Sequence, residues 1–456
     1  MRVAVIGSGI SGMSCAWLLA RHANERCAVT LFEKAGRLGG HTHTVDVTLD
    51  GVTHPVDTGF LVYNDWTYPN LIEMFRHLGI ESAPSDMSFG IKLLGSRGEG
   101  RLEWCGSNDI RSVFAQPSNL LSPRFWNMLR ELLRFNREAM ALVGAGIGDA
   151  TRLQGTLGEF LGRRKFSREF RDWYLKPMAA CIWSTPTRKI DDFPLATFLA
   201  FCRNHGLISV NDRPQWRTVK GGARQYLARL AAELPDVRLN SNITRIRRSD
   251  SQVVIQVDGR EQAFDQLVFA CHSDEARELI ADHADAQSLV LAEIPYQANV
   301  AVLHTDRRLL PDRPRAWAAW NYMAWHPEAG TRYDANGDSP VSLSYLINRL
   351  QPLPFKSPVI VTLNPLQQPE PDRVIQTIRY DHPVFLSGSA RAKRTLRSMQ
   401  GLKRTWFAGA WTRYGFHEDG LMSGIAVAKA LGASVPWPSQ VPAADDFRVP
   451  YPGVDA

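Results

Sequence analysis

No apolar run in this 456-residue chain approaches the ~18–20 uninterrupted residues that cross a bilayer, so any membrane contact is expected to be peripheral. Cysteine is scarce. The six residues, Cys15, Cys27, Cys105, Cys181, Cys202 and Cys271, never pair as C-x-x-C. That spread excludes a zinc ribbon and a disulfide-built miniprotein, and it suits a reducing setting. No metal site is expected. Charge of one sign is in short supply too: 53 Lys and Arg against 46 Asp and Glu leave +7. No basic run carries a nucleic-acid-binding signature, and no nucleic acid partner is expected. Internal repeats and low-complexity segments are absent. The opening Met1–Gly7 has one basic residue and a very short apolar run before its first glycine, unlike a signal peptide. The expected location is the cytoplasm, with contact at the inner face of the cell membrane as the alternative.

What is present is an ordinary globular composition, 44% hydrophobic and 22% charged, at a length that suggests about three units or two large interwoven domains. The first forty residues carry the clearest text. Val3 to Ile6 is a short β-branched run bounded by Gly7, and the helical spacing of Met13, Ala16, Trp17, Leu19 and Ala20 predicts a helix over 11–22. A second strand runs from Ala28 to Glu33. The Asp50-Gly51 pair predicts a hairpin within 42–56. Helices are expected over 69–79 and 118–147, the latter with Trp126, Leu129, Leu132, Leu133 and Ala139 on one side. A helical block is expected over 155–206, interrupted at Pro177, Pro186 and Pro194. From 237 the period changes to two, and meander strands are expected. Later strands are expected at 296–304, 341–347, 359–363 and 405–408, a helix at 424–431, and a loosely packed tail over 436–456.

Gly7-Ser8-Gly9-Ile10-Ser11-Gly12 fits G-x-G-x-x-G between strand and helix. Gly7 permits the tight turn, Gly9 lets the backbone approach a pyrophosphate, and Gly12 lets the helix pack closely. The helix N-terminus offers its N–H groups to phosphate. Glu33 stands where a carboxylate accepts ribose hydroxyls, which disfavours a 2′-phosphate and leaves NAD or FAD. Gly36-Arg37-Leu38-Gly39-Gly40-His41 follows, a second glycine loop with a countercharge.

With Phe407-Ala408-Gly409 and Gly420-Leu421-Met422-Ser423-Gly424 near the other end, this set resembles the FAD-dependent amine oxidase superfamily, which includes monoamine oxidase, protoporphyrinogen oxidase and phytoene desaturase. The resemblance covers both ends of the chain and implies an α/β fold with an α+β substrate part. A Rossmann-like FAD-binding domain (1–80, 215–285 and 400–435) would interleave with a mixed-sheet and helical substrate domain (81–214 and 286–399). It implies an oxidoreductase holding FAD non-covalently, since no cysteine lies near the C-terminal motifs. Gly7, Ser8, Gly9, Ile10, Ser11, Gly12, Glu33, Lys34, Arg37, Gly39, Gly40 and His41 would surround the ADP half and pyrophosphate. Thr58, Gly59 and Phe60 would run beside the isoalloxazine, and Ile243 and Ala270 beside the adenine and cofactor sheet. Gly409, Gly420, Leu421 and Met422 would meet the ribityl chain and pyrimidine edge. Two departures stand out. The usual G-G-R reads Gly39-Gly40-His41, and Ala410-Trp411 replace the customary acid.

Tyr414-Gly415-Phe416-His417-Glu418-Asp419-Gly420 is similar to a bacterial subgroup that accompanies cyclopropane-fatty-acid-type methyltransferases and is tied to fatty acyl desaturation. It implies hydride removal from a lipophilic substrate to flavin N5, with oxygen or another carrier as electron acceptor. His417 and Glu418 are the base candidates, histidine because its pKa lies near operating pH. A helix-capping or supporting role is the competing reading of His417. Trp320, Tyr322 and Phe416 are the expected substrate-pocket residues, with an aromatic sheet core as the alternative for the first two. The expected partners are a lipophilic small molecule, including phospholipid acyl chains, and an anionic membrane surface touched by Arg163, Arg164, Lys165, Arg168 and Arg171. The competing functions are a peroxide-producing amine oxidase and a non-catalytic flavin- and lipid-binding protein.

Overall fold

The computed structural model describes the chain apart from residues 96–99, 107–108, 145–152, 184–185, 210–212, 327–340, 385–386, 440 and 442–456. Five short strands, β1 (Arg2–Ile6), β2 (Ala28–Phe32), β3 (Val237–Arg238), β4 (Gln266–Phe269) and β5 (Thr405–Phe407), form one sheet in the order β3-β2-β1-β4-β5. All four pairings are parallel. The near-continuous apolar character of β1 and β2 follows from burial on both faces. Helix α1 (Ile10–His22) covers one face and packs against α4 (His417–Ala430). The two helices approach closely because glycines face the contact: a Cβ on Gly424 would sit 2.4 Å from the Ser11 carbonyl oxygen. On the other face lies the antiparallel meander Ile243–Arg248, Val253–Val257, Arg260–Phe264, as the alternating pattern predicts.

A second sheet has seven strands in the order Val374–Pro383, Tyr296–His304, Ile360–Leu363, Ser342–Leu346, Trp320–Trp325, Phe89–Leu94, Gly100–Gly106. Its one parallel pair joins Trp320–Trp325 to Phe89–Leu94, so it is a mixed sheet. The Asp50-Gly51 hairpin forms, with both residues at positive φ (51° and 78°). Helix α2 spans Pro69–Leu78 and ends at Gly79 in the left-handed conformation. Helix α3 spans Pro123–Gly144, entered through a tight turn at Pro117–Leu121.

Two expectations are corrected. Pro177 does not interrupt its helix: the chain runs from Arg168 to Trp183 through a π-helical turn at Arg171–Leu175. Such a turn shifts the hydrogen-bond ladder just where Pro177 has no N–H to give. The start of the expected tail is also packed. Trp437 stacks on Trp17 at 6.1 Å and Lys429 donates to the Val441 carbonyl. The rest of that segment lies outside the described residues.

Candidate active site

A single cavity of about 1230 Å³ runs from the glycine turns at the edge of the parallel sheet to helix α3. Its inner limb is a cradle. Gly9 caps α1 without any side-chain cap, leaving the first helical N–H groups to the cavity. A Cβ on Gly9 would meet nothing within 4 Å, and one on Gly40 would meet only Gly9, at 3.4 Å. The two glycine loops thus bound an open slot.

Glu33 sits at its rim. Its Oε2 accepts the Ser8 N–H (2.9 Å) and Ser8 hydroxyl (2.6 Å), and its Oε1 accepts the Ala35 N–H (2.8 Å). A carboxylate has about four acceptor sites, so capacity for ribose hydroxyls remains. The Ser8 hydroxyl also accepts the Gly39 N–H (3.1 Å), making it the strut between the two loops. Arg37 donates to the Gly40 carbonyl (2.9 Å), and Lys34 pairs with Glu275. Ile10, Ser11, Ile243 and Ala270 complete the lining. His41, the departure from G-G-R, also lines the cradle. Its Nε2 is buried and has no hydrogen-bond partner among the described residues. An open glycine slot, an uncapped helix end, an acid with spare acceptor sites and an orphaned imidazole nitrogen together fit a dinucleotide.

Around His41 stand Tyr380 (stacked, 4.9 Å), His382 (5.3 Å) and His272 (5.9 Å). Tyr380 lies within hydrogen-bond distance (2.9 Å) of the Thr58 hydroxyl. Sequence reading had no signal for Tyr380 and His382 as cavity residues. Gly59 lines the cavity, and a Cβ there would lie 2.1 Å from the His41 carbonyl oxygen. Thr58 is buried behind it.

Phe60 and His417 stack face to face at 3.7 Å on the wall. His417 Nε2 lies 2.9 Å from the Tyr226 hydroxyl, itself 2.6 Å from the Thr42 hydroxyl. Burial pushes the His417 imidazole down to about 3. That direction disfavours the general-base role for His417 and favours a supporting one; the ring stands on the cavity wall, tied to Tyr226.

Glu418 lies elsewhere than the expectation put it. It points away from the cavity and accepts the N–H groups of Asn70 (2.9 Å) and Leu71 (2.9 Å) and the Asn70 amide (2.8 Å). It caps α2 from 348 residues away, and burial pushes it up to about 7. Glu418→Ala is expected to cost on the order of 2–4 kcal/mol, because buried helix-end donors lose their acceptor. Turnover per bound flavin should change less than threefold. A loss of roughly 100-fold or more at unchanged thermal stability would restore the catalytic reading.

Among the C-terminal residues, Gly409 lines the cavity with Trp411, Tyr414, Gly415 and Phe416. Gly420, Leu421 and Met422 do not. A Gly420 Cβ would press on Ile10 at 2.7 Å, Leu421 is fully buried in the core, and Met422 faces a separate small pocket. The helical period sets Gly420 and Leu421 against α1 and Met422 beside Phe407 of β5, away from the cradle. Trp320 lines the outer limb. Tyr322 does not; it is buried in the sheet core, and the cavity position beside Trp320 belongs to Tyr345, edge-on at 5.0 Å. Phe416 stacks on Phe201 at 5.2 Å where the two limbs join.

Burial holds several imidazoles below the 6.5 of an exposed ring: His43, His205, His304 and His382 to about 4, and His41 well below. Each folded-state value is depressed, so unfolding takes up protons. Their contribution is full above pH 6.5 and is lost as pH falls toward 4. The urea midpoint is expected to fall steadily from pH 6.5 to 4.5, with proton uptake on unfolding at pH 5. An unchanged midpoint across that window would contradict neutral burial.

A parallel sheet with a dinucleotide cradle, opening on a largely apolar chamber, defines a dinucleotide-dependent oxidoreductase. The sequence profile described as flavin containing amine oxidoreductase matches residues 10–432, and the chain belongs to that family, which makes the dinucleotide FAD. Solved structures with the same fold include a CLA-producing fatty acid isomerase from P. acnes (16% identity, TM-score 0.61, 94% of this chain and 98% of that one). A putrescine oxidase variant matches over 94% and 99% (16%, TM-score 0.65). Cyclohexylamine oxidase from Brevibacterium oxydans matches over 94% and 98% (17%, TM-score 0.61). A comparison with curated proteins found no match.

Proposed function

We propose that this flavoprotein dehydrogenates a long lipophilic chain, a straight or methyl-branched fatty acyl chain, rather than a small amine. The observation that carries this reading is the outer limb of the cavity. Its lining includes Leu129, Leu132, Met178, Ile182, Trp104 and Trp320. A limb so lined gains about 0.8 kcal/mol for each methylene it takes from water. His205, where the limbs meet, is held neutral by burial, and the charged side chains on the lining nearby are Asp86 and Arg213.

Bound FAD would supply the two-electron acceptor for a hydride from one substrate carbon, and the proton of the neighbouring carbon would leave to solvent at the cavity. The residues of this chain that would hold it are Gly7, Gly9, Glu33, Gly39, Gly40 and His41. Phe60 and Phe416 line the cavity where the limbs meet and would limit water there, which suits transfer from carbon. Phe201 and Phe416 orient the chain as it passes.

Anaerobic mixing with straight and methyl-branched acyl lipids and with a panel of amines tests the proposal. Lipids should bleach the flavin and gain one double bond by mass spectrometry. Bleaching by amines alone, with peroxide released in air, would assign the amine chemistry of the oxidases that share the fold.

A further inference from the structure

We infer that the exposed face of helix α3 is a docking surface for an anionic phospholipid bilayer, set at the mouth of the cavity. Trp126, Arg130, Leu133, Arg137 and Met140 follow one another at i, i+4, i+7, i+11 and i+14, so they share one stripe of the helix. All five are exposed. Trp126 is 49% accessible, Leu133 58% and Met140 42%. Large apolar side chains in contiguous exposed positions mark an interaction surface. The patch continues past the helix start: the Trp126 indole donates to the Leu120 carbonyl (2.9 Å), and the adjacent Leu121 is 87% accessible. The helical spacing groups Trp126 and Leu133 with Leu129, Leu132 and Ala139 on one side. The structure divides them, with Leu129 and Leu132 turned to the cavity and Trp126 turned out.

Charge selects the occupant. The helix has two acids, and both turn to the neighbouring segment. Glu131 accepts the Ser167 N–H (3.0 Å), and Glu138 pairs with Arg134 (3.0 Å) and Arg164 (3.4 Å). The outward stripe therefore alternates apolar residues with Arg130 and Arg137 and carries no acid. Exposed Arg163, Lys165 and Arg168 flank it. A tryptophan at the rim, apolar side chains to enter the acyl boundary and arginines for headgroups is the chemistry of an interfacial helix. Among the described residues no helix is long and apolar enough to cross a membrane, so docking is on the surface. Leu133 is both exposed and part of the cavity lining. Docking would thus bring the mouth of the apolar limb against the acyl chains. The delivery role rests on the lipophilic-substrate reading; the docking itself does not.

The test is co-sedimentation of the FAD-loaded protein with phosphatidylcholine vesicles, with and without about one-third phosphatidylglycerol. Binding to anionic vesicles at low salt, weakened by salt, is expected. Arg130→Ser with Arg137→Ser should weaken it by about fivefold for each arginine removed. Trp126→Ser with Met140→Ser should weaken it at least tenfold. Flavin content and turnover on detergent-dispersed substrate should stay unchanged in both pairs, since these side chains are on the surface. Equal affinity for neutral vesicles, no vesicle binding at all, or wild-type binding by the Trp126/Met140 pair would each overturn the inference. So would a wild-type dimer in solution that this pair dissociates, which would assign the face to a second copy. Vesicle binding without turnover of any dispersed lipid would uphold the surface while removing the proposed function.

Discussion

Gly9→Val is expected to give a folded protein that binds FAD roughly 5–150-fold more weakly, whereas Gly12→Val gives no soluble protein at all. The two glycines stand three residues apart in one motif, yet the structure gives them opposite sensitivities. Gly9 has φ −62° and ψ 176°, a backbone any residue adopts, and its added Cβ meets nothing. Replacing a good N-cap residue by valine costs the fold about 0.5–1.5 kcal/mol, too little to unfold a chain of this size. The space the isopropyl group fills is the slot facing Gly40, where a pyrophosphate must approach backbone N–H groups. Steric intrusion of this kind costs about 1–3 kcal/mol, which corresponds to roughly 5–150-fold weaker FAD binding. Gly12 is different. Its Cβ would lie 1.9 Å from the Gly7 carbonyl oxygen and 3.1 Å from the Ala270 Cβ. Gly7 has no room to retreat, because its own Cβ position is 2.8 Å from the Ala270 carbonyl oxygen. The strand, turn and helix are wedged together at that point. Flavin fluorescence titration and thermal melts separate the outcomes. Wild-type FAD affinity in Gly9→Val would place the pyrophosphate elsewhere.

The glycine turn was legible in the sequence because every part of its chemistry is local: strand, turn, helix and acid lie within some thirty residues. The Asp50-Gly51 hairpin was legible for the same reason. What escaped depends on distant partners. Glu418 has the composition of an active-site acid, and nothing in its neighbourhood shows that Asn70 and Leu71 consume both of its oxygens. The strand Val374–Pro383 is half polar and largely half-exposed along its length, so its period was weak, and Tyr380 and His382 went unread with it. Helix α3 was found, but its apolar residues divide between two environments, cavity and outer surface. A hydrophobic pattern records that a side chain is apolar, not which apolar medium it meets. His41 was read as a lost arginine; the structure makes it a neutral ring in a cluster of rings, a different electrostatic design for the same position.

Leu132→Trp is expected to separate long substrates from short ones. Leu132 lines the outer limb from helix α3, on the far side of the Phe201–Phe416 stack from the glycine cradle. An indole there fills space now open to a chain, while Gly9, Glu33 and His41 are untouched, so FAD affinity should hold. If the indole displaces about four methylenes of a bound acyl chain, the lost burial is on the order of 3 kcal/mol, or about 100-fold in kcat/KM. The loss should fall on KM more than on kcat, because burial of a remote methylene is made equally in the ground and transition states. Chains too short to pass the Phe201–Phe416 junction should be oxidised at the wild-type rate, and Leu132→Ala should extend the accepted length instead. An amine substrate confined to the junction would feel neither change. If Leu132→Trp slows a long acyl chain and a small amine to the same degree, the outer limb serves protein stability rather than substrate length, and the acyl assignment fails with it.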